Sequence, residues 1–262
     1  MKADMRDEPQ TDFIYCSAAV TEVLKFGPCK LHSGHKVLFL IIPGESDSVL
    51  SAEADVFGLN GQIEHKLAFI RKHVPRETSL VLVGHSIGCY IILEMMKRNP
   101  ELKTLKAVML FPTIERMSQS PQGKVMTPVL CHMRYIAYLP LFLLSLLPET
   151  LKAGLIKLAF VNKPMSLLSL LVANAMYMGG QEMRKVLERD NITIKNNLEK
   201  LIFYYGATDH WCPVQYYHDI RQDFPQGDFR LCENDINFKY TLNILFIDLL
   251  SIALELQRKL KS

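Results

Sequence analysis

The chain carries no C-x-x-C pair, no internal repeat, no low-complexity segment and no uninterrupted apolar run long enough to span a bilayer. Its six cysteines (Cys16, Cys29, Cys89, Cys131, Cys212 and Cys232) lack redox or metal-site spacing, and Met1 to Thr11 is polar without an apolar signal core. Free thiols facing the cytosol are therefore expected, not a disulfide framework. Formal net charge is only +3, so no nucleic-acid partner is expected. The eight histidines lack zinc-ligand spacing, which leaves no metal and no cofactor to expect. None of them lies beyond His218.

Apolar side chains are abundant. They make up 49% of the 262 residues, and mean hydropathy is positive. This argues against disorder and toward contact with lipid. The length suits one large α/β domain, or such a domain with a cap.

Short β-type runs alternate with helical patterns. Phe13 to Leu24 can hold one or two edge strands. Val37 to Ile42 is continuously apolar and stops at Pro43-Gly44, as a strand buried on both faces would. Leu59, Ile63, Leu67 and Ile70 share one helical face, and Pro75 marks a stop. Leu80 to Val83, Leu105 to Phe111, Leu201 to Tyr205 and the weaker Phe229 to Leu231 read as further strands. A mostly parallel sheet with helices on both faces follows.

At the end of Leu80 to Val83 stands Gly84-His85-Ser86-Ile87-Gly88. Gly-x-Ser-x-Gly between a strand and a helix is the signature of a nucleophile elbow. The helix here is expected over Ile87 to about Arg98. Ser86 is the candidate nucleophile. Gly84 and Gly88 allow the tight turn and the close approach of helix and strand. Ile87 supplies the first oxyanion amide, and the turn at Gly44 or Glu45 the second.

Such a serine needs a base and an orienting acid, which follow in the order serine, acid, histidine. Asp209, in the loop after Leu201 to Tyr205, is the acid candidate, with a turn-capping aspartate as the alternative. The base should follow the last strand, where the sequence has none. His85 neighbours the nucleophile, His210 adjoins the acid, and His218 lies on an expected helix after Pro213. All three are poor substitutes. His65, His73 and His132 read as surface residues, and His32 and His35 flank a loop glycine.

From Ser118 to Asn197 the β/α rhythm gives way to helical sequence. Three parts are expected: residues 1–117 as the N-terminal part of the core, 118–197 as a helical cap, and 198–262 as the remainder with an apolar tail. Tyr135 to Pro148 carries no charge but falls below the roughly 18 apolar residues of a spanning helix. It suits a hairpin dipping into one leaflet or a greasy lid, or an ordinary buried cap helix. Tyr240 to Leu256 suits a terminal helix packed on the sheet, or an interfacial one.

These residues closely resemble the lipid droplet-associated hydrolase family, within the α/β-hydrolase superfamily. The resemblance rests on Ile41-Ile42-Pro43-Gly44, GLNGQIEHKLAFIR (58–71), LVLVGHSIG (80–88), LFPTIERMSQSPQG (110–123), ANAMYMGGQEM (173–183), Phe203 to Pro213 and Asp223 to Glu233. It implies a serine ester hydrolase at lipid droplets and the endoplasmic reticulum, on the cytosolic face. It also implies neutral lipid or sterol esters as substrates. Ser86 matches the family's nucleophile and Asp209 its acid, but the histidine position falls at about Phe238. The stretch from Glu45 to Ser79 holds one helix where the superfamily has a helix, a strand and another helix, so one interior strand is expected to be missing. The chain resembles a shortened or alternatively spliced form of reduced or absent activity. A non-catalytic protein that binds membrane or droplets is the alternative. An acyltransferase or thioesterase on the same site is a third reading.

Overall fold

The computed structural model describes residues 10–16, 19–25, 37–43, 58–131, 143, 146, 148 and 176–232. Five strands form one parallel sheet in simple sequential order. They are β3 (Val37–Ile42), β4 (Ser79–His85), β5 (Thr104–Leu110), β6 (Leu201–Gly206) and β7 (Asp228–Cys232). The preceding β1 (Gln10–Cys16) and β2 (Ala19–Lys25) pair antiparallel as a separate two-stranded sheet.

The apolar strand runs account for this order. Leu80, Val81, Leu82 and Val83 of β4 are at most 1% exposed, as a strand covered on both faces requires. β3 pairs directly with β4, from Val37 opposite Ser79 to Ile42 opposite Gly84. The expected oxyanion strand and elbow strand are therefore neighbours, with no described strand between them. Among the described residues nothing pairs with the outer edge of β3. Burial on both faces of β3 is accordingly not observed: Leu38 and Leu40 pack on the core, whereas Phe39 and Ile41 are exposed. Phe111, expected to end β5, instead takes φ 47° and turns the chain away, so the strand stops at Leu110.

The helices that build the core and its surroundings are α1 (Leu59–His73), α2 (Ile87–Arg98), α3 (Pro121–Cys131), α4 (176–185), α5 (Asn191–Asn196) and α6 (Val214–Asp223). The 3.6-residue spacing of Leu59, Ile63, Leu67 and Ile70 places them in the main core with Ile91, Ile92 and Met95 of α2. Ile194 of α5 and Ile220 of α6 complete it over Leu82, Met109, Phe203 and Tyr205 of the sheet. On the opposite face Val83, Val108, Leu110, Ile202 and Tyr204 form a second apolar cluster. His65 belongs to the buried face of α1 at 5% exposure, against the surface position expected from sequence. It lies two positions from Ile63 and Leu67 on a helix whose buried stripe is wide, and burial holds its pKa below the ordinary value.

The two ends of the helical excursion meet. The Arg116 amide donates to Leu187 O (2.9 Å) and the Met117 amide to Val186 O (3.1 Å). Within the excursion, α3 and α4 touch through Gly179 and Gly180, where a Cβ would lie 3.1 Å from Leu130 Cδ1 and 3.0 Å from Leu130 O. No helix among the described residues is long and apolar enough to cross a membrane. Most of Tyr135 to Pro148, and all of Tyr240 to Leu256, lie outside the described residues.

Candidate active site

Ser86 sits alone between the last residue of β4 and the first of α2, with φ 55° and ψ −123°. A non-glycine residue there stores strain of about 1–3 kcal/mol, and such strain collects at functional sites. The surrounding contacts enforce it. The Ser86 amide donates to Leu110 O (2.9 Å), and its carbonyl accepts the Cys89 amide (3.0 Å) and, at 3.4 Å, that of Thr113. The turn is thus pinned to β5, to α2 and to the loop after β5.

The two glycines of the motif have distinct steric duties. A Cβ on Gly84 would lie 2.8 Å from Cys89 N and 2.9 Å from Ile92 Cδ1, so Gly84 lets α2 close onto β4. A Cβ on Gly88 would lie 2.2 Å from Ile42 O and 3.3 Å from Pro43 O, so Gly88 lets α2 pass the end of β3. This brings the chain segment that leads into Gly44 against the elbow. Gly44 itself is outside the described residues. Ile87 is buried at the first position of α2, where its amide has no acceptor within its own helix.

Asp209 lies half-buried in the loop between β6 and α6. Its Oδ1 accepts the Trp211 (2.8 Å) and Cys212 (3.1 Å) amides, which is the turn-capping alternative in full. The loop is also tethered from outside. Buried Cys212 donates Sγ–H to Pro112 O at 3.1 Å, and His210 O accepts the Gln122 amide of α3 at 3.1 Å. Burial pushes the Cys212 thiol well above its ordinary range. Sequence reading missed both tethers, because a lone buried cysteine and one helix-entry amide carry no local pattern.

Turn and acid roles separate by substitution. Asp209→Ala is expected to cost about 1–2 kcal/mol in urea unfolding, because two amides lose their acceptor. Asp209→Asn keeps an Oδ1 acceptor and should cost less than half as much. Equal losses would show that the turn is not what the carboxylate supports.

The histidines fall in several places. His85 packs edge-on to Phe111 at 6.1 Å between ring centroids. Burial lowers its pKa below 6.5, partly opposed by the negative charge of Asp209, so the structure brings this imidazole and the acid candidate into one electrostatic neighbourhood. His210 and His218 are exposed, the latter edge-on to Tyr217. Among the described residues no imidazole hydrogen-bonds the Ser86 hydroxyl. Phe238, His32, His35 and His132 lie outside the described residues.

A charge cluster centred on buried Glu115 and Arg189 was not visible in the sequence. Glu115, 5% exposed, faces Arg116 at 2.7 Å and Arg189 at 3.0 Å. Arg116 continues to Asp219 (2.6 Å) and Arg189 to Asp223, both on α6. The cluster joins the two ends of the excursion to the helix that follows the acid loop.

A parallel sheet whose strand turns through a strained serine into a helix, with an aspartate after a later strand, defines an α/β-hydrolase. Solved structures agree on the fold: a putative aryl esterase from Burkholderia cenocepacia superposes with TM-score 0.57 over 94% of this chain and 100% of its own, at 14% identity. A serine hydrolase from Cycloclasticus zankles gives 0.57 over 92% and 98% at 13% identity, and a bacterial membrane phospholipase A gives 0.54 over 86% and 78% at 16%.

Within that class, residues 29–241 match the family model described as lipid-droplet associated hydrolase. Proteins named lipid droplet-associated hydrolase are 45% identical in Gallus gallus (88% of this chain, 90% of that one) and 51% in Homo sapiens (78% and 67%). A relative of the same name in Drosophila melanogaster is 34% identical over 74% of this chain. The chain belongs to the lipid droplet-associated hydrolase family.

Proposed function

We propose that this chain is a serine ester hydrolase of lipid esters by descent, working at the lipid droplet surface and the cytosolic face of the endoplasmic reticulum. The observation that carries the reading is the backbone of Ser86, held at φ 55° between β4 and α2 where both flanking glycines are sterically required. A family whose relatives are named for lipid droplets supports the lipid surface.

In this reading Ser86 Oγ attacks the ester carbonyl and expels the alcohol, and water then releases the acid. The Ile87 amide and the Gly44 turn hold the developing oxyanion. Asp209 orients the base in this scheme, and its Oδ1 accepts the two loop amides. The base itself is the deficit, since the family's position is occupied by Phe238. No metal or cofactor takes part in this scheme. The paired stem at Arg116–Met117 and Val186–Leu187 supports a cap, residues 118–197, set between the core parts 1–117 and 198–262.

A hydroxyl without its base loses most of its rate. Turnover of a short soluble ester is expected on the order of 10⁴–10⁶ below that of a hydrolase with a complete triad. Residual labelling by a fluorophosphonate should vanish in Ser86→Ala. Rapid turnover that Ser86→Ala abolishes would overturn the inactivity. Labelling that persists in Ser86→Ala would remove Ser86 as nucleophile. Non-catalytic binding at the droplet is the second reading, favoured by the lack of an imidazole on Ser86 among the described residues.

A further inference from the structure

We propose that the outward face of the β1–β2 hairpin is a docking surface for a phospholipid monolayer. The register makes the face explicit. Thr11, Phe13 and Tyr15 alternate along β1 to one side, and Leu24 stands directly opposite Thr11. Directly opposed residues of an antiparallel pair share a side, so Phe13, Tyr15 and Leu24 lie together. They are 72%, 63% and 57% exposed.

The other side of the hairpin is where the body of the protein lies. Ile14 and Val23 are half-buried there and Cys16 is 1% exposed. Among the described residues, Ile14, Val23 and Cys16 on the body side are at least partly covered and Asp12 there is exposed, whereas Phe13, Tyr15 and Leu24 with Thr11 stand exposed on the outward side. A strand pair with one face on a core ordinarily turns polar residues to water. Two aromatic side chains and a leucine clustered in that position mark an interaction surface.

Charge decides the partner. The last turn of α1 is Arg71, Lys72 and His73, without an acidic residue, and Lys72 Nζ donates to Tyr15 O at 3.4 Å. Arg71 and Lys72 are exposed. An apolar patch with an aromatic hydroxyl and an adjacent ammonium suits a phosphate-headed, hydrocarbon-backed surface. Phe13 and Leu24 enter the acyl boundary, the Tyr15 hydroxyl stays at headgroup level, and Lys72 faces phosphate. The register sets Glu22 opposite Phe13.

The inference rests on the lipid-surface reading given above, and flotation of the full chain separates the two. The probe is a triolein droplet coated with phosphatidylcholine and a minor fraction of phosphatidylserine. Replacing Phe13, Tyr15 and Leu24 together by Ser should lower the bound fraction at least about tenfold, because three apolar groups leave the acyl boundary. Phe13→Ser alone, which keeps every backbone pair, should lower it severalfold. Lys72→Glu should weaken binding in a salt-dependent way. Ile192→Ser, which removes an equally exposed side chain elsewhere, should change nothing. Triple and single variants that float like the unsubstituted chain would overturn this face while leaving the lipid-surface reading intact. An unsubstituted chain that does not float would overturn both.

Discussion

Gly88→Ala is expected to destabilise the chain by at least about 3 kcal/mol and to lower fluorophosphonate labelling of Ser86 by roughly 100-fold. The added Cβ would lie 2.2 Å from Ile42 O and 3.1 Å from Ile42 C. Both neighbours are backbone atoms of β3, in a strand hydrogen-bonded to β4 along its length, so no side chain can swing aside. Relief has to come from moving α2 or the end of β3. The first carries the Ile87 amide and is entered through Ser86; the second leads into the Gly44 turn. On the proposed mechanism, either displacement would separate Ser86 from its oxyanion donors. Gly84→Ala is the informative comparison. Its Cβ would meet Cys89 N and the methyl end of Ile92, so part of the clash is with a flexible group and the loss should be smaller. Thermal unfolding and the labelling rate read the two effects independently. A Gly88→Ala chain with unchanged labelling would mean that the elbow is not braced on β3.

The elbow was legible because its requirements are local. Strand, Gly-x-Ser-x-Gly and helix lie within twenty residues, and the structure puts β4, Ser86 and α2 where the spacing places them. The strand runs were legible for the same reason, and β5, β6 and β7 differ from the expected bounds by a residue or so. Pattern reading failed where distant chain segments decide. Val37 to Ile42 is uniformly apolar, yet its exposure follows from having no described neighbour on one edge, which no property of the six residues encodes. His65 looked like a surface residue because its own type is polar, although its position falls within the buried arc of α1. Asp209 reads from the sequence as an acid or a turn cap, and the structure shows the turn bonds. One oxygen caps the loop, and its charge reaches the His85 ring.

Glu115→Ala is expected to cost about 3–5 kcal/mol, because it leaves a guanidinium buried without the carboxylate at its centre. Arg189 is 7% exposed and shares Glu115 with Arg116, and each arginine reaches a different carboxylate of α6. The residues span positions 115 to 223, so the cluster ties both stems of the excursion to the helix after the acid loop. At a chain of this size the loss corresponds to a fall in Tm of roughly 10 °C. Limited proteolysis should then open sites between residues 118 and 185 before the core is cut.

The pH dependence of Glu115→Gln tests the electrostatics separately. Burial pushes the Glu115 carboxyl above its ordinary value of 4.5, although both guanidiniums pull it down. A carboxyl raised on folding binds its proton more tightly in the native state, so stability falls as pH rises through the interval above 4.5. The amide that replaces it does not titrate. The stability of the unsubstituted chain relative to Glu115→Gln should therefore be highest near pH 4.5 and below, decline as pH rises, and level off once the buried group is ionised. A difference that grows with pH would mean that the arginines outweigh burial. The cluster would then be a stabilising ion pair in its own right, and no longer a charged joint held in place by the fold around it.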